Sequence, residues 1–332
     1  MAAFRWGVLS TAKIATTKVI PAIRGSEHGQ VTAIGSRDGA RASEVAEELG
    51  IERAYDSYEQ VLADPDIEGV YIPLPNHLHV PWTVRAAEAG KHVLCEKPIG
   101  LTTSDAETLL EVADRTGVRI QEAFMVRTHP QWLRARDLVS SGEIGELRAI
   151  QGFFSYHNTD ADDIRNQADI GGGGMLDIGC YPVTTSRFVL EREPERVCAV
   201  VDRDPQTLID RLGSAILDFS GTTATFTYGT QSFPYQRMTF VGTSARLDVE
   251  IPFNAPADRP CRLLLTRDPS PGAEPEVIEV PVCDQYAVAA DAFVASIRRD
   301  EPPPVPLEDS IANMRVLDAL MRSAEKASWQ TI

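Results

Sequence analysis

Cysteine is scarce in this chain and is never closely paired. Only five cysteines occur in 332 residues, they lie between Cys95 and Cys283, and no C-x-x-C pair is present. An odd number of scattered cysteines argues against a disulfide framework and against a cysteine-based zinc site. We therefore expect neither structural disulfides nor a bound metal.

Long apolar runs are also missing. The first residues lack the apolar core of a signal peptide, and no later stretch approaches the roughly 18 uninterrupted apolar residues of a membrane span. These absences predict a cytoplasmic protein that has no membrane segment.

Basic residues are outnumbered. The chain has 32 Lys and Arg residues against 48 Asp and Glu residues, which gives a formal net charge of −16. Such a surface repels phosphate backbones and anionic lipids and argues against nucleic acid and membrane partners. We expect a small-molecule partner instead, and a hydrophobic content of 43% is sufficient for the cores of two domains.

The first part of the chain alternates short apolar runs with amphipathic segments. The apolar runs predict strands at 4–9, 31–36, 69–72, 92–95 and 118–122. Helical spacing of apolar residues predicts helices at 40–49, 80–89 and 103–115. This βαβ rhythm predicts an α/β domain, residues 1–126, with a doubly wound parallel sheet.

The pattern changes after residue 126. A predicted helix at 131–140 precedes strand-like runs, rich in Thr, Val and Phe, at 147–156, 196–201, 214–219, 224–228, 236–241 and 246–251. A glycine run at 171–174 opens a predicted helix at 175–190, and an amphipathic helix is predicted at 307–326. We therefore predict a second, α+β domain, residues 127–332, with a large and mainly antiparallel open sheet.

The turn after the first predicted strand consists of small residues. The strand carries Gly7, and the turn holds Ser10, Thr11 and Ala12, with Ser10 and Ala12 where a nucleotide-binding turn has glycines. Small residues let the backbone approach a pyrophosphate group. The motif predicts either a dinucleotide site or an ordinary tight turn.

Ser36 and Arg37 lie at the end of the second predicted strand. At this point an acidic residue binds the ribose 2′-hydroxyl of NAD, whereas an arginine or serine accommodates the 2′-phosphate of NADP. The pair therefore favours NADP as the cofactor. The alternative is that Arg37 merely occupies an exposed turn beside Asp38.

The third and fourth predicted strands lead into loops at the carboxyl edge of the sheet, where open α/β sheets bind ligands. We predict that these loops bind the cofactor through Leu74, Pro75, Asn76, His79, Glu96 and Lys97. The alternatives are a helix-capping role for His79 and a solvated surface position for Lys97.

Taken in order, the motifs closely resemble the glucose-fructose oxidoreductase/inositol dehydrogenase/rhizopine catabolism (Gfo/Idh/MocA) family, whose signature is the Glu96-Lys97-Pro98 sequence of this chain. The likeness covers essentially the whole chain and is carried further by residues 5–15, 71–79, 122–125, 129–131, 173–181 and 306–314. It implies a Rossmann domain that binds the cofactor and a second domain that binds substrate. It also implies a homodimer formed through the open sheet, and a last helix that returns to the first domain.

Tyr181 stands where many relatives carry histidine. A tyrosine at this position resembles the branch that contains dimeric dihydrodiol dehydrogenase and NADP-dependent xylose dehydrogenase. Residues 251–254 are also similar to that branch. Relatives commonly read Met-Tyr-Arg-Phe-His where this chain reads Met-Val-Arg-Thr-His at 125–129, so an aromatic pocket wall is missing. The resemblance implies that Arg127 and His129 bind substrate.

Lys97, Asp177 and Tyr181 are the predicted catalytic residues. Hydride transfer from a hydroxyl carbon needs a group that takes the hydroxyl proton, and a tyrosine with an ordinary pKa of about 10 is too weak a base. A nearby ammonium group favours the phenolate, which makes Lys97 and Tyr181 a proton-transfer pair. Asp177 lies four residues before Tyr181 on one predicted helix, so both side chains share a face. Its carboxylate can accept hydrogen bonds from sugar hydroxyls. The alternatives are that Asp177 is an ordinary acidic residue in the first turn of a helix and that Tyr181 is a core aromatic residue.

Together these residues predict an NADP-dependent oxidoreductase that exchanges a hydride with a CH–OH group of a sugar, as an aldose (xylose-type) 1-dehydrogenase does. The first alternative is a trans-dihydrodiol dehydrogenase or another sugar or polyol reductase. The second is a non-catalytic NADP-binding regulator, against which the presence of Lys97, Asp177 and Tyr181 argues. The particular sugar, the oxidised carbon and the physiological direction stay open.

Overall fold

The computed structural model describes residues 2–332 and divides the chain into two compact units. The first unit contains the residues up to Thr128 together with Asp284–Ile311, and the second contains His129–Cys283 and Ala312–Ile332. Residues 284–311, which the sequence pattern assigned to the second domain, thus group with the first unit.

Six parallel strands form the sheet of the first unit. They are β1 (Phe4–Leu9), β2 (Gly29–Gly35), β3 (Arg53–Tyr55), β4 (Gly69–Ile72), β5 (His92–Cys95) and β6 (Ile120–Glu122). Their order is β3-β2-β1-β4-β5-β6, and each described pairing is parallel. The order reverses between β1 and β4, and sheets of this kind bind ligands at the carboxyl edge near that reversal. The predicted doubly wound parallel sheet is confirmed.

The first unit contains helices that connect these strands and one further helix from later in the chain. A π-helical segment (Ala15–Val19), α1 (Ile20–Gly25), α2 (Gly39–Leu49), α3 (Tyr58–Ala63), α4 (His79–Glu88) and α5 (Thr103–Thr116) precede the second unit, and α8 (Gln285–Arg299) follows most of it. Phe293 of α8 packs with its ring centroid 6.0 Å from that of Trp6. The carboxylate of Asp291 accepts hydrogen bonds from the backbone N–H groups of Glu27 and His28, both at 2.9 Å. These contacts attach α8 to the first unit.

Nine strands form the sheet of the second unit. They are β7 (Leu147–His157), β8 (Arg196–Arg203), β9 (Asp210–Asp218), β10 (Thr223–Gly229), β11 (Gln231–Gly242), β12 (Arg246–Val249), β13 (Cys261–Thr266), β14 (Glu276–Val280) and β15 (Gln330–Thr331). Their order is β14-β13-β12-β11-β7-β10-β9-β8-β15. β7 and β10 pair in parallel, and the other described pairings are antiparallel. The predicted α+β domain with a mainly antiparallel sheet is confirmed.

The two faces of this sheet differ in exposure. The helical elements of the unit include α6 (Pro130–Ser140), a π-helical segment (Met175–Gly179), α7 (Cys180–Leu190) and most of α9 (Leu307–Lys326). Side chains on one face of the strands, such as Leu217 and Phe240, are fully buried. Val200 and Ile216 point to the opposite face and are 71% and 39% exposed. Alternate residues therefore face the core and an open surface.

None of the helices in residues 2–332 is both long enough and apolar enough to cross a membrane. In the same range, no three His, Cys, Asp or Glu side chains come together in a group suited to a metal ion.

Candidate functional site

The turn after β1 combines a close-packed glycine with an unusual serine. A Cβ atom at Gly7 would lie 2.6 Å from Cγ1 of Val61, so Gly7 has a packing role inside the sheet. Ser10 has a φ angle of +151°, a value that favours glycine. Its Oγ accepts a hydrogen bond from the backbone N–H of Ala12 at 3.0 Å. Ser10, Thr11 and Ala12 are all partly exposed, and their predicted contact with a pyrophosphate group stays a prediction.

The end of β2 separates a buried serine from an exposed arginine. Ser36 is buried, and its Oγ accepts a hydrogen bond from the backbone N–H of Asp38 at 3.1 Å. The Asp38 carboxylate in turn caps α2, where it accepts from the backbone N–H of Arg41 at 3.1 Å. Arg37 is exposed. The exposed guanidinium of Arg37 thus lies beside an exposed carboxylate that caps α2.

His79, which is predicted to touch the cofactor, connects two loops of the first unit. Its ring is fully buried, with Nδ1 2.6 Å from the carbonyl oxygen of Pro98 and Nε2 2.7 Å from that of Leu74. Only a protonated ring could donate to both oxygens, but burial lowers the pKa of His79 to about 4. The neutral ring therefore donates to one carbonyl at neutral pH. This arrangement gives His79 a positioning role for the loops that carry Leu74 and Lys97.

Two carboxyl groups hold the loop after β5. Glu96 Oε1 accepts a hydrogen bond of 2.6 Å from the hydroxyl of Tyr71, and Oε1 of the fully buried Glu122 accepts one of 2.8 Å from the backbone N–H of Ile99. Burial and then the charge of Glu96 raise the pKa of Tyr71, so this hydroxyl stays a donor. Lys97 lies between these two contacts and is partly exposed. The sequence did not identify Tyr71 and Glu122 as residues that hold this loop. Tyr71 lies within the predicted strand at 69–72, and Glu122 ends the predicted strand at 118–122.

Arg127 and His129, predicted to bind substrate, lie on either side of the division between the units. In the first unit, Arg127 forms an ion pair with Asp309 in the first turn of α9. In the second unit, His129 is buried and caps α6, with Nδ1 accepting from the backbone N–H of Gln131 at 3.1 Å. Its Nε2 lies 3.3 Å from Sγ of Cys283, and burial lowers the pKa of His129 to about 4. Both ring nitrogens thus make internal contacts, and the contact of His129 with substrate stays a prediction.

Asp177 receives two polar contacts within the second unit. The hydroxyl of Tyr156, on β7, donates a 2.7 Å hydrogen bond to Oδ2 of Asp177. Nε of Arg165, in a 3₁₀ turn at Ile164–Asn166, lies 3.4 Å from the same oxygen. The charge of Asp177 raises the pKa of Arg165, and burial followed by that charge raises the pKa of Tyr156. Neither partner was recognisable from the sequence, because each is distant from Asp177 along the chain.

Tyr181 lies in an aromatic cluster at the start of α7. Its side chain is buried, with ring centroids 5.6 Å from Phe154 and 5.3 Å from Phe253. The predicted single helix at 175–190 is π-helical over its first five residues, Met175–Gly179, which include Asp177. π-Helical turns are rare and occur often at functional sites. The packing of Tyr181 agrees with a core aromatic as well as with an oriented phenol group.

The predicted site residues divide between the two units. All of the predicted cofactor-binding residues lie in the first unit, together with Arg127. His129, Asp177 and Tyr181 lie in the second unit. The first unit thus carries the predicted cofactor-binding set, and the second carries Asp177 with its newly recognised partners.

Family models match both parts of the chain. Residues 4–124 match a model described as an oxidoreductase family with an NAD-binding Rossmann fold, GFO/IDH/MocA. Residues 132–248 match the model of the GFO/IDH/MocA C-terminal domain.

Full-length relatives include proteins named for redox chemistry on sugars. An uncharacterised oxidoreductase of Rhizobium meliloti is 49% identical over 99% of both chains. D-xylose 1-dehydrogenase (NADP(+)) 2 of Haloferax volcanii is 39% identical over 96% of this chain and 97% of its own. Among solved structures, the 3-ketoreductase KijD10 of Actinomadura kijaniata, in complex with NADP and TDP-benzene, is 34% identical. It superposes with a TM-score of 0.90 over 97% of this chain and 98% of its own.

Proposed function

This chain belongs to the GFO/IDH/MocA oxidoreductase family, as its motifs predicted, and on that premise we propose that it is an NADP-dependent aldose 1-dehydrogenase of the xylose type. Its Rossmann domain is of the NAD(P)-binding kind, and its relatives are oxidoreductases. The observation that carries the proposal is the Asp177 carboxylate, held by Tyr156 and Arg165 in the helical segment that also bears Tyr181.

Asp177 has the chemistry of a hydroxyl-binding group. An ionised carboxylate only accepts hydrogen bonds, and sugar hydroxyls need acceptors when they leave water. The cation of Arg165 at 3.4 Å and the hydroxyl of Tyr156 at 2.7 Å favour the ionised form. Asp177 therefore orients one substrate hydroxyl in the proposed complex.

Tyr181 is the proposed proton carrier. When bound, NADP supplies the nicotinamide ring that takes up the hydride. As the CH–OH group of the substrate becomes C=O, its hydroxyl proton would pass to the phenolate oxygen of Tyr181, which becomes a neutral phenol. The role proposed for Lys97 is that of the cation that favours this phenolate. Phe154 and Phe253 restrict the Tyr181 ring, with centroid separations of 5.6 and 5.3 Å.

Support for NADP over NAD comes from the end of β2. Arg37 is exposed, Ser36 lies beside it, and the Asp38 carboxylate caps α2. A guanidinium group forms charge-assisted hydrogen bonds with phosphate. The name of the Haloferax relative includes NADP(+), and the KijD10 structure contains NADP, which supports the same preference.

The charge near Asp177 favours an uncharged sugar over a nucleotide-linked one. Residues 158–171 contain four aspartates and a single basic residue, Arg165. Arg165 lies 3.4 Å from carboxylate oxygens of both Asp163 and Asp177, so its charge is already paired. A diphosphate group would meet net negative charge at this segment. The aldose is therefore preferred to a nucleotide-linked substrate of the kind suggested by the TDP-benzene complex of KijD10.

A substrate panel tests the proposal. Purified protein is incubated with NADP or NAD and with pentoses, hexoses, a benzene dihydrodiol or a dTDP-linked sugar, and the reduced cofactor is followed by absorbance. We expect turnover with NADP and aldoses. Preferred turnover of the dihydrodiol would support the trans-dihydrodiol alternative, and preference for the dTDP-linked sugar would contradict the charge argument. NADP binding without turnover of any substrate would indicate a regulator.

Exposed apolar side chains support the proposed homodimer. Val200, Leu212 and Ile216 on the open face of the second sheet are 71%, 42% and 39% exposed. Clustered apolar surface of this kind marks protein interfaces. We expect light scattering to give the mass of a dimer and Ile216→Asp to lower it, whereas a wild-type monomer would contradict the homodimer.

A further inference from the structure

The π-helical segment Met175–Gly179 and α7 form one helical segment, which bears Asp177 and Tyr181. This segment begins beside a buried carboxylate that has no assigned role. Asp210, the first residue of β9, is 5% exposed. Its Oδ2 accepts a hydrogen bond of 2.6 Å from the backbone N–H of Met175. A carboxylate at this end of a helix also interacts favourably with the dipoles of the first backbone amides. Asp210 therefore holds the backbone of the segment at Met175, two residues before Asp177.

Tyr228 of β10 holds the same carboxylate. Its hydroxyl donates a hydrogen bond of 2.6 Å to Oδ2 of Asp210, and its side chain is fully buried. Burial and then the charge of Asp210 raise the pKa of Tyr228, so the phenol keeps its proton and remains a donor. Two donors thus converge on one oxygen and fix its position between β10 and the helical segment.

Glycines allow the segment to approach this pair closely. A Cβ atom at Gly173 would lie 2.0 Å from Oδ1 of Asp210, and the φ angle of Gly173 is +125°. Cβ atoms at Gly174 and Gly213 would each lie 2.5 Å from ring atoms of Tyr228. These distances exclude any side chain at the three positions. The glycine run before the helix therefore serves close contact with Asp210 and Tyr228 as well as forming a turn.

From these contacts, and on the basis of the proposed function, we infer that Asp210 and Tyr228 are positioning residues that set the place of Asp177 and Tyr181 relative to the substrate. They act through the backbone at Met175 and through the packing of the glycines on the Tyr228 ring. A displacement of reacting groups by about 1 Å can reduce a rate by about 10²-fold, so a small shift of the segment affects turnover strongly.

Two variants test the pair. Tyr228→Phe removes one oxygen and keeps the ring among its glycines, and Asp210→Asn keeps an acceptor for Met175 but removes the ionisable carboxyl group. For both we expect kcat with the aldose to fall about 10-fold or more, with a smaller change in KM. The NADP dissociation constant and the thermal unfolding midpoint are measured alongside, and the former should stay at the wild-type value.

Thr227→Val is the matched control. Thr227 precedes Tyr228 on β10, and its hydroxyl forms a 2.8 Å hydrogen bond with Ser214 of β9 on the opposite face of the sheet. This variant thus loses a hydrogen bond between the same two strands and should keep the wild-type kcat. An equal loss of kcat in Thr227→Val and Tyr228→Phe would overturn the inference, because general weakening of the sheet would then explain both.

The positioning inference and the proposed function fail in different ways. If Tyr228→Phe and Asp210→Asn keep the wild-type kcat while Tyr181→Phe is inactive, the pair has no positioning role and the proposed function stands. If Tyr181→Phe and Asp177→Asn are themselves fully active, the proposed function fails.

Discussion

The hydroxyl of Tyr156 lies 2.7 Å from Oδ2 of Asp177 and donates a hydrogen bond to it. The donor is on β7, near the end of a sheet strand, and the acceptor is in the π-helical segment Met175–Gly179. With Arg165 at 3.4 Å from the same oxygen, Asp177 is held from a strand and from a loop. Its carboxylate is therefore oriented before a substrate binds, which lowers the entropic cost of reaching a reactive geometry.

Tyr156→Phe should weaken the proposed sugar site. A hydrogen bond to a charged group contributes about 1.5–3 kcal/mol, so kcat/KM for the aldose should fall about 10- to 100-fold. NADP affinity, measured by titration, should not change. Tyr235→Phe, on neighbouring β11, is the control and should behave as wild type. An unchanged kcat/KM in Tyr156→Phe would show that Asp177 does not depend on this bond.

Tyr181→Phe should remove the proton carrier with little loss of packing. The variant keeps the ring next to Phe154 and Phe253, so kcat should fall about 10²- to 10⁴-fold while the fold is retained. The pH dependence of oxidation should flatten, because the ionising group is gone. Tyr181→His should restore part of the rate. A Tyr181→Phe variant with the wild-type rate and pH profile would return Tyr181 to the role of a core aromatic.

Arg37→Glu should change the cofactor preference. Loss of a charge-assisted contact with the 2′-phosphate, worth about 1.5–3 kcal/mol, should weaken NADP at least about tenfold and leave NAD affinity close to wild type. The control is Arg115→Glu, which reverses an exposed charge paired with Glu88 in the same unit. Wild-type preference for NAD, or equal effects of the two variants, would contradict the assignment of Arg37.

His79 should make the protein less stable as the pH falls. Burial lowers its pKa from 6.5 to about 4, so the unfolded chain takes up a proton at a higher pH than the folded chain does. The free energy of unfolding should therefore decrease as the pH falls from 6.5 towards 4, by about 3 kcal/mol for this residue. His129 changes stability in the same direction, because burial also lowers its pKa to about 4.

Urea denaturation across this pH interval measures the effect of His79. The slope of unfolding free energy against pH should be shallower for His79→Gln by about one proton, whatever the variant does to stability at neutral pH. His157→Gln changes an exposed histidine of β7 and should keep the wild-type slope. If both variants retain that slope, His79 does not account for the loss of stability in acid.

Most strands and helices could be recognised from the sequence because their patterns are local. Strands buried on both faces are continuously apolar, and the predicted runs at 4–9, 69–72 and 92–95 coincide with β1, β4 and β5. Seven strands and α-helices were not predicted: β3, β13, β14, β15, α1, α3 and α8. β3 has only three residues at the sheet edge, and α8 belongs to the first unit only because Phe293 and Asp291 contact distant parts of the chain.

The candidate site divides in the same way. The positions of Lys97 after a strand and of Asp177 four residues before Tyr181 follow from chain order, so motif and helical spacing were sufficient to select them. Motif and helical spacing do not predict that both ring nitrogens of His79 are buried. They also do not predict which side chains contact Asp177 and the backbone of Met175. Tyr156 is 21 residues from Asp177, and Asp210 is 35 residues from Met175. Such hydrogen bonds form only after strand register and helix packing have brought distant segments together, and a linear pattern does not encode the direction of a side chain in the packed core.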